Sequence, residues 1–330
     1  MENLEIFRTV VKCTESPDKI GYDTPFLMLG SCFAENLGVK LKQLKFNVTL
    51  NPFGIVYHPA AAAQQLKRII TGKPFSADEL HLHNELWHSF DHHGRFSHSE
   101  VSTCLEQINT ELRQAHSELL RSELLFVTFG SAWAYRLKCS GQIVANCHKL
   151  PASDFERIRF DVDGIHSVWM ETIATLRRFN PSIRIVFTVS PIRHLRDGAH
   201  ENQLSKSTLL LAVDRLNRES ENTGYFPAYE IVLDELRDYR FYSEDMIHIN
   251  IVAINYIWQR FCENFMNENT IQIMKTVEEI VRAAAHRPLH QTAGLQKFAA
   301  NYLEKIANIK QKYPLLNFTE EAEWFENQTS

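Results

Sequence analysis

The chain has 330 residues, of which 44% are hydrophobic and 23% are charged, and its formal net charge is −5. These proportions are typical of a globular protein with an apolar core. No block rich in lysine and arginine is present, which argues against a nucleic-acid partner. No apolar run approaches the roughly 18 residues of a membrane-spanning helix, and residues 1–19 lack the apolar core of a secretory signal. We therefore expect a cytoplasmic protein that does not bind membranes.

Short apolar runs that are rich in β-branched and aromatic residues predict five buried strands, at 26–29, 45–50, 123–129, 182–189 and 228–233. Helical periodicity separates them, at about 33–44, 58–71, 100–121, 166–179 and 203–221. Continuous apolar strands are typical of a sheet that is covered on both faces. Their alternation with helices predicts an α/β fold with a parallel sheet and right-handed crossovers.

Two segments depart from this alternation. Residues 72–99 contain six of the fifteen histidines, and 131–160 contains a predicted hairpin with its turn at Ser140 and Gly141. The histidine spacing matches no familiar zinc arrangement, and no C-x-x-C motif is present, so we predict no metal and no cofactor.

The C-terminal part of the chain shows only helical patterns. We predict an α/β domain at 1–265 and a helical extension at 266–330, with a break between two helices at 286–294. The acidic residues 317–330 are expected to lie in solvent.

The first predicted strand ends at Gly30, and Ser31 and Cys32 follow it directly before a helical pattern begins. Ligands of open α/β sheets bind at the carboxyl ends of the strands. A helix N-terminus stabilises an oxyanion and lowers the pKa of a thiol placed there. The alternative is that Ser31 caps the helix and Cys32 is a small buried residue. The local sequence alone favours that alternative.

An Asp-x-x-His pattern follows the last predicted strand, at Asp245 and His248. A carboxylate at this spacing can orient the imidazole ring and fix its tautomer. Taken alone, the pair is better interpreted as a surface carboxylate and a helix-capping histidine. Together with Ser31 and Cys32 it predicts a nucleophile and a base at one edge of the sheet.

The residues Gly30 to Ala34 read "GSCFA", and the chain resembles the GSCFA family, which is similar to the SGNH (GDSL-type) hydrolases. Further family-like stretches are "WHSFDHHGRFS", "VTFGSAWAYR", "NCHKLP", "TVSPIRH" and "YFPAYEIVLDELRDYRFYSEDMIH". The resemblance implies a flavodoxin-like three-layer sandwich with a five-stranded parallel sheet, to which the helical extension is added. It also implies acyl-ester hydrolase or acyltransferase activity.

Aligned without gaps, the "G-D-S-L-x-x-G-x-G" block of the SGNH pattern lies on "GSCFAENLG". This register puts Cys32 at the nucleophile position and Ser31 at the place of the preceding aspartate. A register slipped by one residue makes Ser31 the nucleophile instead. The Asp-x-x-His block matches Asp245 and His248, which the resemblance makes the orienting carboxylate and the general base.

The resemblance also implies an oxyanion site. Gly54 matches the glycine of the second block, and Gly130 matches that of the third, Gly-x-Asn-Asp. The asparagine of the third block is replaced here by Ala132, and Asn51 or Asn146 is a candidate substitute.

Several further residues are predicted to border the substrate pocket. They are His88 or His93 of the histidine-rich segment, His148, and Ser190 and Arg193 after the fourth strand. Arg193 is suited to a substrate carboxylate or phosphate, although a structural ion pair is an equal alternative.

The sequence thus predicts a Cys/Ser-His-Asp enzyme that acts on a small-molecule or glycan acyl ester. The alternative is an inactive scaffold of the same fold that binds a small molecule or glycan, an alternative favoured by the missing asparagine.

Overall fold

A five-stranded sheet forms the centre of the protein in a computed structural model, which describes residues 9–13, 16–17, 19–286, 290 and 292–329. The sheet contains β1 (Phe26–Gly30), β2 (Val48–Leu50), β5 (Leu124–Phe129), β9 (Arg184–Val189) and β10 (Thr223–Tyr225). All pairs are parallel, and the order across the sheet is β2-β1-β5-β9-β10. This is the strand order of flavodoxin-like folds.

The helices are α1 (Cys32–Gln43), α2 (Pro59–Thr71), α3 (Val101–Arg121), α4 (Val162–Phe179), α5 (Gly198–Glu219), α6 (Ala228–Glu230), α7 (Ile251–Phe265), α8 (Glu268–Ala284), α9 (Ala293–Lys312) and α10 (Thr319–Thr329). Short 3₁₀ helices lie at Ala77–Glu79, Gly94–Phe96, Ala152–Asp154, Leu195–Asp197 and Tyr239–Phe241. A π-helical turn, Ile231–Glu235, follows α6.

Alternate side chains of each strand enter two separate apolar layers, because successive residues of a strand point to opposite faces. Phe26 and Met28 of β1 pack with α1 and α7, whereas Leu27 and Leu29 pack with α2, α3, α4 and α5. Helices therefore cover both faces, and the predicted three-layer α/β sandwich with five parallel strands is confirmed.

The predicted fifth strand at 228–233 is wrong. These residues form α6 and the start of the π-helical turn, and the fifth strand is the short β10 just before them. A short apolar run does not distinguish a buried strand from a buried helical turn, since both bury every side chain. Ala228, Ile231 and Val232 are indeed all buried.

A small antiparallel sheet follows the third strand of the central sheet. It consists of β6 (Trp133–Leu137), β7 (Ile143–Val144) and β8 (Phe155–Arg159), and the predicted hairpin is present between β6 and β7. In the histidine-rich segment, β3 (His81–His83) and β4 (Leu86–His88) form a second hairpin.

The C-terminal helices extend the apolar layer that contains α1 and α7. The acidic end of the chain, which we expected in solvent, forms α10, with Phe325 fully buried and Glu321 in an ion pair with Lys45 at 2.7 Å. The division at 265/266 remains a prediction. Several residues of the ranges used above lie outside the described residues: 1–8, 14–15 and 18 near the N-terminus, 287–289 and 291 in the predicted break, and 330.

Within the described part of the chain, no helix combines the length and apolar character needed to cross a bilayer.

Candidate functional site

A cleft of about 560 Å³ lies at the carboxyl ends of the central strands. Loops that follow β1, β2, β5 and β9 border it, together with the segment before α7. Its lining includes Cys32, Tyr57, His93, Trp133, Arg193 and His248. The cleft therefore lies where parallel α/β sheets bind their ligands.

The two nucleophile candidates in the turn after β1 lie in different environments, one in the interior and one in the cleft. Ser31 is 1% exposed and is the N-cap of α1, where its Oγ accepts a hydrogen bond from the N–H of Phe33 at 3.3 Å. Cys32 is the first helical residue and lines the cleft, with its Sγ 3.1 Å from the hydroxyl of Tyr57. Gly30 makes this turn with φ +145°, and a Cβ there would approach the carbonyl oxygen of Thr128 to 2.5 Å.

Asp245 and His248 form a hydrogen-bonded pair at the rim of the cleft. The Nδ1–H of His248 donates to Oδ2 of Asp245 at 2.6 Å, while the N–H groups of Ile247 and His248 donate to Oδ1 at 2.9 Å each. The bond from the His248 ring, followed by the two backbone bonds, lowers the pKa of Asp245 to about 2. With Nδ1 occupied, Nε2 is the ring nitrogen left for proton transfer.

Tyr57 is a site residue that the sequence did not indicate. Partial burial and the neighbouring Cys32 raise the pKa of its phenol well above the ordinary value. Tyr57 therefore stays protonated near neutral pH and keeps a hydrogen-bond donor beside the thiol. The run "FGIVYHP" contains the motif glycine Gly54, but nothing in it marks the tyrosine, and only a structure reveals that the Tyr57 hydroxyl reaches Cys32.

His194, which lies after β9 in the segment predicted to border the cleft, was not singled out as a site residue, and it lines the cleft. Burial, followed by the charges of Lys206 and His248, lowers the pKa of His194 to about 4, so this ring is neutral near pH 7. Its ring lies edge-on to that of Tyr57, with 5.6 Å between centroids. Among the described residues, its buried Nε2 has no hydrogen-bond partner.

The two predicted oxyanion glycines have their N–H groups bound to carbonyl oxygens. The N–H of Gly54 donates to the carbonyl of Asn51 at 2.7 Å, and that of Gly130 donates to the carbonyl of Tyr57 at 2.8 Å. Gly54 has φ +90°, and a Cβ there would meet the Cβ of His93 at 2.2 Å. Both glycines thus shape loops around the cleft, and their oxyanion role stays a prediction.

The two asparagines considered as substitutes occupy different positions. Asn51 is fully buried, accepts a bond from the N–H of Gly30 at 2.9 Å and donates to Glu35 at 2.6 Å. It thereby supports the turn before Cys32 and does not line the cleft. Asn146 does line the cleft, and its Oδ1 accepts a bond from the N–H of His148 at 2.9 Å.

Of the other predicted pocket residues, His93 and Arg193 line the cleft, whereas His88, His148 and Ser190 do not. The ring of His88 binds Ser97 and the carbonyl of His83. The side chain of His148 binds the carbonyl of Ser89 at 2.7 Å. The Oγ of the buried Ser190 accepts a bond from the N–H of Ile192 at 3.3 Å.

The histidine-rich segment packs mainly as an aromatic cluster. His81 stacks on Phe90 with 3.9 Å between ring centroids, and His88 lies 4.5 Å from His148. Burial, together with neighbouring histidines, lowers the pKa values of His81 and His148 to about 4. The residues that the structure describes contain no group of three or more histidine, cysteine, aspartate or glutamate side chains arranged to hold a metal ion.

Three solved structures are similar to this chain at low sequence identity. A carbohydrate esterase family 3 protein from Talaromyces cellulolyticus is 8% identical with a TM-score of 0.36, over 76% of this chain and 98% of that one. The acetyl xylan esterase Est2A from the rumen bacterium Butyrivibrio proteoclasticus is 10% identical with a TM-score of 0.37, over 76% and 65%. A family two carbohydrate esterase from Clostridium thermocellum, solved with cellohexaose, is 11% identical with a TM-score of 0.36, over 79% and 68%.

The comparison with curated proteins found no match. The model of the GSCFA family matches residues 25–261, which contain the whole central sheet and every residue of the cleft described above. A second model, the C-terminal domain of GSCFA domain proteins, matches residues 277–330. The resemblance seen in the sequence is thereby confirmed, and the chain belongs to the GSCFA family.

Proposed function

We propose that this protein is an acyl-ester hydrolase or acyltransferase that uses the Cys32 thiol as its nucleophile. The observation that carries the proposal is that Cys32 and the Asp245-bound His248 line the same cleft, although 216 positions separate them in the sequence. A thiol, an imidazole that borders the same cleft and a carboxylate that orients the ring are the groups that nucleophilic acyl transfer uses.

In the first half of the reaction, Nε2 of His248 takes the proton from the Cys32 thiol. The thiolate attacks the ester carbonyl and forms a C–S bond. The tetrahedral intermediate then breaks its C–O bond, and the alcohol leaves with the proton that His248 returns. In the second half, water or an acceptor hydroxyl gives its proton to His248, attacks the thioester and releases the thiolate.

The negative charge on the carbonyl oxygen requires hydrogen-bond donors. The N–H of Cys32 belongs to the first turn of α1, where N–H groups have no acceptor within the helix and the dipole favours an anion. The protonated hydroxyl of Tyr57 lies beside Sγ and is the second proposed donor. Backbone and tyrosine donors of this kind supply oxyanion stabilisation in acyl transfer.

Cys32 is preferred to Ser31 because of burial and hydrogen bonding. The Ser31 hydroxyl lies in the interior and caps the helix, so an attack on a substrate in the cleft would require it to leave that position. The Cys32 thiol already borders the cleft.

The proposed substrate is a small-molecule or glycan acyl ester. Tyr57, Trp133 and Tyr135 give the cleft three aromatic side chains. Aromatic rings combine a large apolar surface with a polar edge, which suits the faces of a sugar ring.

A binding module without catalytic activity is the second candidate. It is favoured by the buried Ala132, which occupies the place of the third-block asparagine, and by the occupied N–H groups of Gly54 and Gly130.

The test is hydrolysis of a panel of aryl and sugar acetates and short-chain acyl esters between pH 5 and 9. We expect Cys32→Ala to lower kcat/KM at least about 10³-fold. Ser31→Ala should lose an N-cap that is worth about 1 kcal/mol of stability while retaining most of the activity. Cys139→Ala, which removes an exposed cysteine outside the cleft lining, is the control. Full activity of Cys32→Ala, or no turnover of any ester by the wild type, would contradict the proposal.

Alkylation by iodoacetamide separates the enzyme from the binding module. In the enzyme, His248 acts on the thiol, so His248→Ala should slow the labelling of Cys32 and leave the labelling of Cys139 unchanged. Equal labelling of Cys32 with and without His248 would favour the binding module.

A further inference from the structure

The cleft is more positive than the protein that contains it. Among the residues that the structure describes, its lining has three guanidinium groups, Arg157, Arg193 and Arg196, and one carboxylate, Asp197. The whole chain has a formal net charge of −5. A concave site whose charge is opposite to that of the rest of the surface attracts ligands of the complementary sign.

Pairing within the cleft removes only one of the positive charges. Both side-chain oxygens of Asp197 accept hydrogen bonds from Arg157. Arg193 and Arg196 contact no carboxylate within the described part of the chain. Arg196 also acts on the Asp197 carboxylate electrostatically, but it is not hydrogen-bonded to it. The cleft therefore contains two guanidinium groups without a hydrogen-bonded carboxylate among the described residues.

Neutral partners hold Arg193 in place. Its guanidinium lies over the ring of Tyr242, 4.1 Å from the centroid, and its Nη1 donates to the carbonyl of Met246 at 3.4 Å. Its backbone N–H donates to the carbonyl of Ile247 at 3.2 Å. Arg193 is thereby fixed next to the segment that contains Asp245 and His248, and no ion pair within the described part of the chain occupies its guanidinium.

Arg196 is held in a similar way, by a hydrogen bond from its Nη1 to the hydroxyl of Tyr135 at 2.6 Å. Two further donors on cleft-lining residues, Nε1 of Trp133 and Nε of Arg157, are buried and have no acceptor among the described residues. Buried donors without acceptors are costly, and an anionic oxygen is the strongest acceptor for such groups.

We infer that the guanidinium groups of Arg193 and Arg196 bind an anionic group of the ester substrate, a carboxylate or a phosphate. This inference rests on the proposed function, because it names the substrate class of the same cleft. The anion is carried by the substrate and is not the group that reacts. It holds the ester beside Cys32 while the acyl group is transferred.

The test compares acetyl esters that differ in charge. The probes are 4-acetoxybenzoate, its uncharged methyl ester and 4-acetoxyphenyl phosphate, and each kcat/KM is divided by the hydroxide-catalysed rate of the same ester. We expect the wild type to prefer at least one anion over the neutral ester by about tenfold or more. Which anion is preferred distinguishes a carboxylate substrate from a phosphate substrate.

Arg193→Gln and Arg196→Gln should each lower this anionic-to-neutral ratio by about five- to tenfold. Arg193→Lys keeps the charge and should restore most of the ratio. Arg218→Gln removes a charge from the exposed end of α5 and should leave the ratio as in the wild type. A wild-type ratio near one, or variants that keep the wild-type ratio, would overturn the inference even if all the esters are hydrolysed.

Binding separates the failure of this inference from the failure of the proposed function. Quenching of tryptophan fluorescence measures the affinity of Cys32→Ala for 4-acetoxybenzoate and for its methyl ester. Tighter binding of the anion, abolished in Cys32→Ala combined with Arg193→Gln, supports the anion site even if no ester is hydrolysed. Equal affinity for the two compounds overturns it.

Discussion

His248 at the rim of the cleft and His148 beneath the histidine-rich segment show two uses of one side chain. The side chain of His248 is 49% exposed and its Nδ1 binds a carboxylate. His148 is 8% exposed, binds a backbone carbonyl and lies among other imidazoles, and its pKa is lowered to about 4, chiefly by burial. Exposure and a carboxylate partner suit an imidazole to proton transfer, whereas burial among rings makes it an uncharged packing residue.

The comparison also explains why the number of histidines in a segment is a poor guide to chemistry. Residues 72–99 contain six histidines, yet the cleft takes only His93 from them, and its proposed base is a histidine from a different segment. The informative signal in the sequence is the aspartate three positions before His248.

The largest expected effect is on catalysis. His248→Gln removes the proposed base while keeping a polar side chain of similar size, and we expect kcat/KM for a good aryl ester to fall about 10³-fold. His93→Gln changes a cleft histidine that has no carboxylate partner among the described residues, and it should lower kcat/KM by less than about tenfold. Steady-state kinetics of both variants measure these changes. Equal losses of kcat/KM would contradict a special catalytic role for the histidine that has the carboxylate partner.

A buried lysine extends the comparison to stability, because the described residues offer it no carboxylate partner. Lys206 is 1% exposed, and its Nζ donates to the carbonyls of Gly130 and Ser190 at 2.7 Å each. Burial lowers the pKa of Lys206 to about 7. Between pH 7 and the ordinary pKa of lysine, the unfolded chain therefore binds a proton that the folded chain does not, and the free energy of unfolding rises with pH.

We expect the free energies of unfolding of the wild type and Lys206→Met to diverge as the pH rises from 7 to 9. The wild type should gain up to about 1.4 kcal/mol per pH unit relative to the variant. Urea unfolding at a series of pH values measures this difference, in which other titrating groups largely cancel. Parallel curves for the two proteins would show that the ammonium stays charged in the folded state.

The smallest expected effect concerns His81, which is partly buried and stacked on Phe90. Its pKa is lowered to about 4, so the wild type loses stability as the pH falls from 6.5 toward 4, because the unfolded chain takes up the proton first. His81→Phe keeps the stacking and cannot be protonated, and we expect it to be about 1–2 kcal/mol more stable than the wild type at pH 5. Thermal unfolding at pH 5 and pH 7.5 checks this, and a gain of equal size at both pH values would point to packing instead of protonation.

Much of the fold follows from local pattern. Four of the five predicted strands and the helices between them are present. A continuous apolar run indicates a strand that is buried on both faces, and helical periodicity indicates a helix that is buried on one face. The strand predicted at 228–233 failed because burial on all sides produces the same apolar run in a helical turn. The observed fifth strand, β10, has only three residues, and Thr223 and Gly224 are not apolar. It therefore lacks the apolar run from which the other strands were predicted.

The site was only partly predictable, because its geometry depends on contacts between distant segments. The family motifs predicted Cys32, Asp245 and His248 as site residues. They did not predict that Ser31 is buried as a helix cap while Cys32 lines the cleft. Arg193 was predicted to border the pocket and does line the cleft, whereas Tyr57 and Arg196 carry no local motif. They enter the cleft because the loops after β2 and β9 end at the same edge of the sheet.

The backbone and the side chain of Tyr57 make different hydrogen-bonding contacts. Its carbonyl oxygen receives the N–H groups of Gly130 and Ser131, at 2.8 and 3.1 Å, while its hydroxyl meets the sulfur of Cys32. Any amino acid can supply the carbonyl, but only the ring carries the hydroxyl. Tyr57→Phe or a fluorinated tyrosine can therefore change the reactivity of the Cys32 sulfur by protein engineering. The backbone hydrogen bonds between the loops after β2 and β5 are retained in both variants.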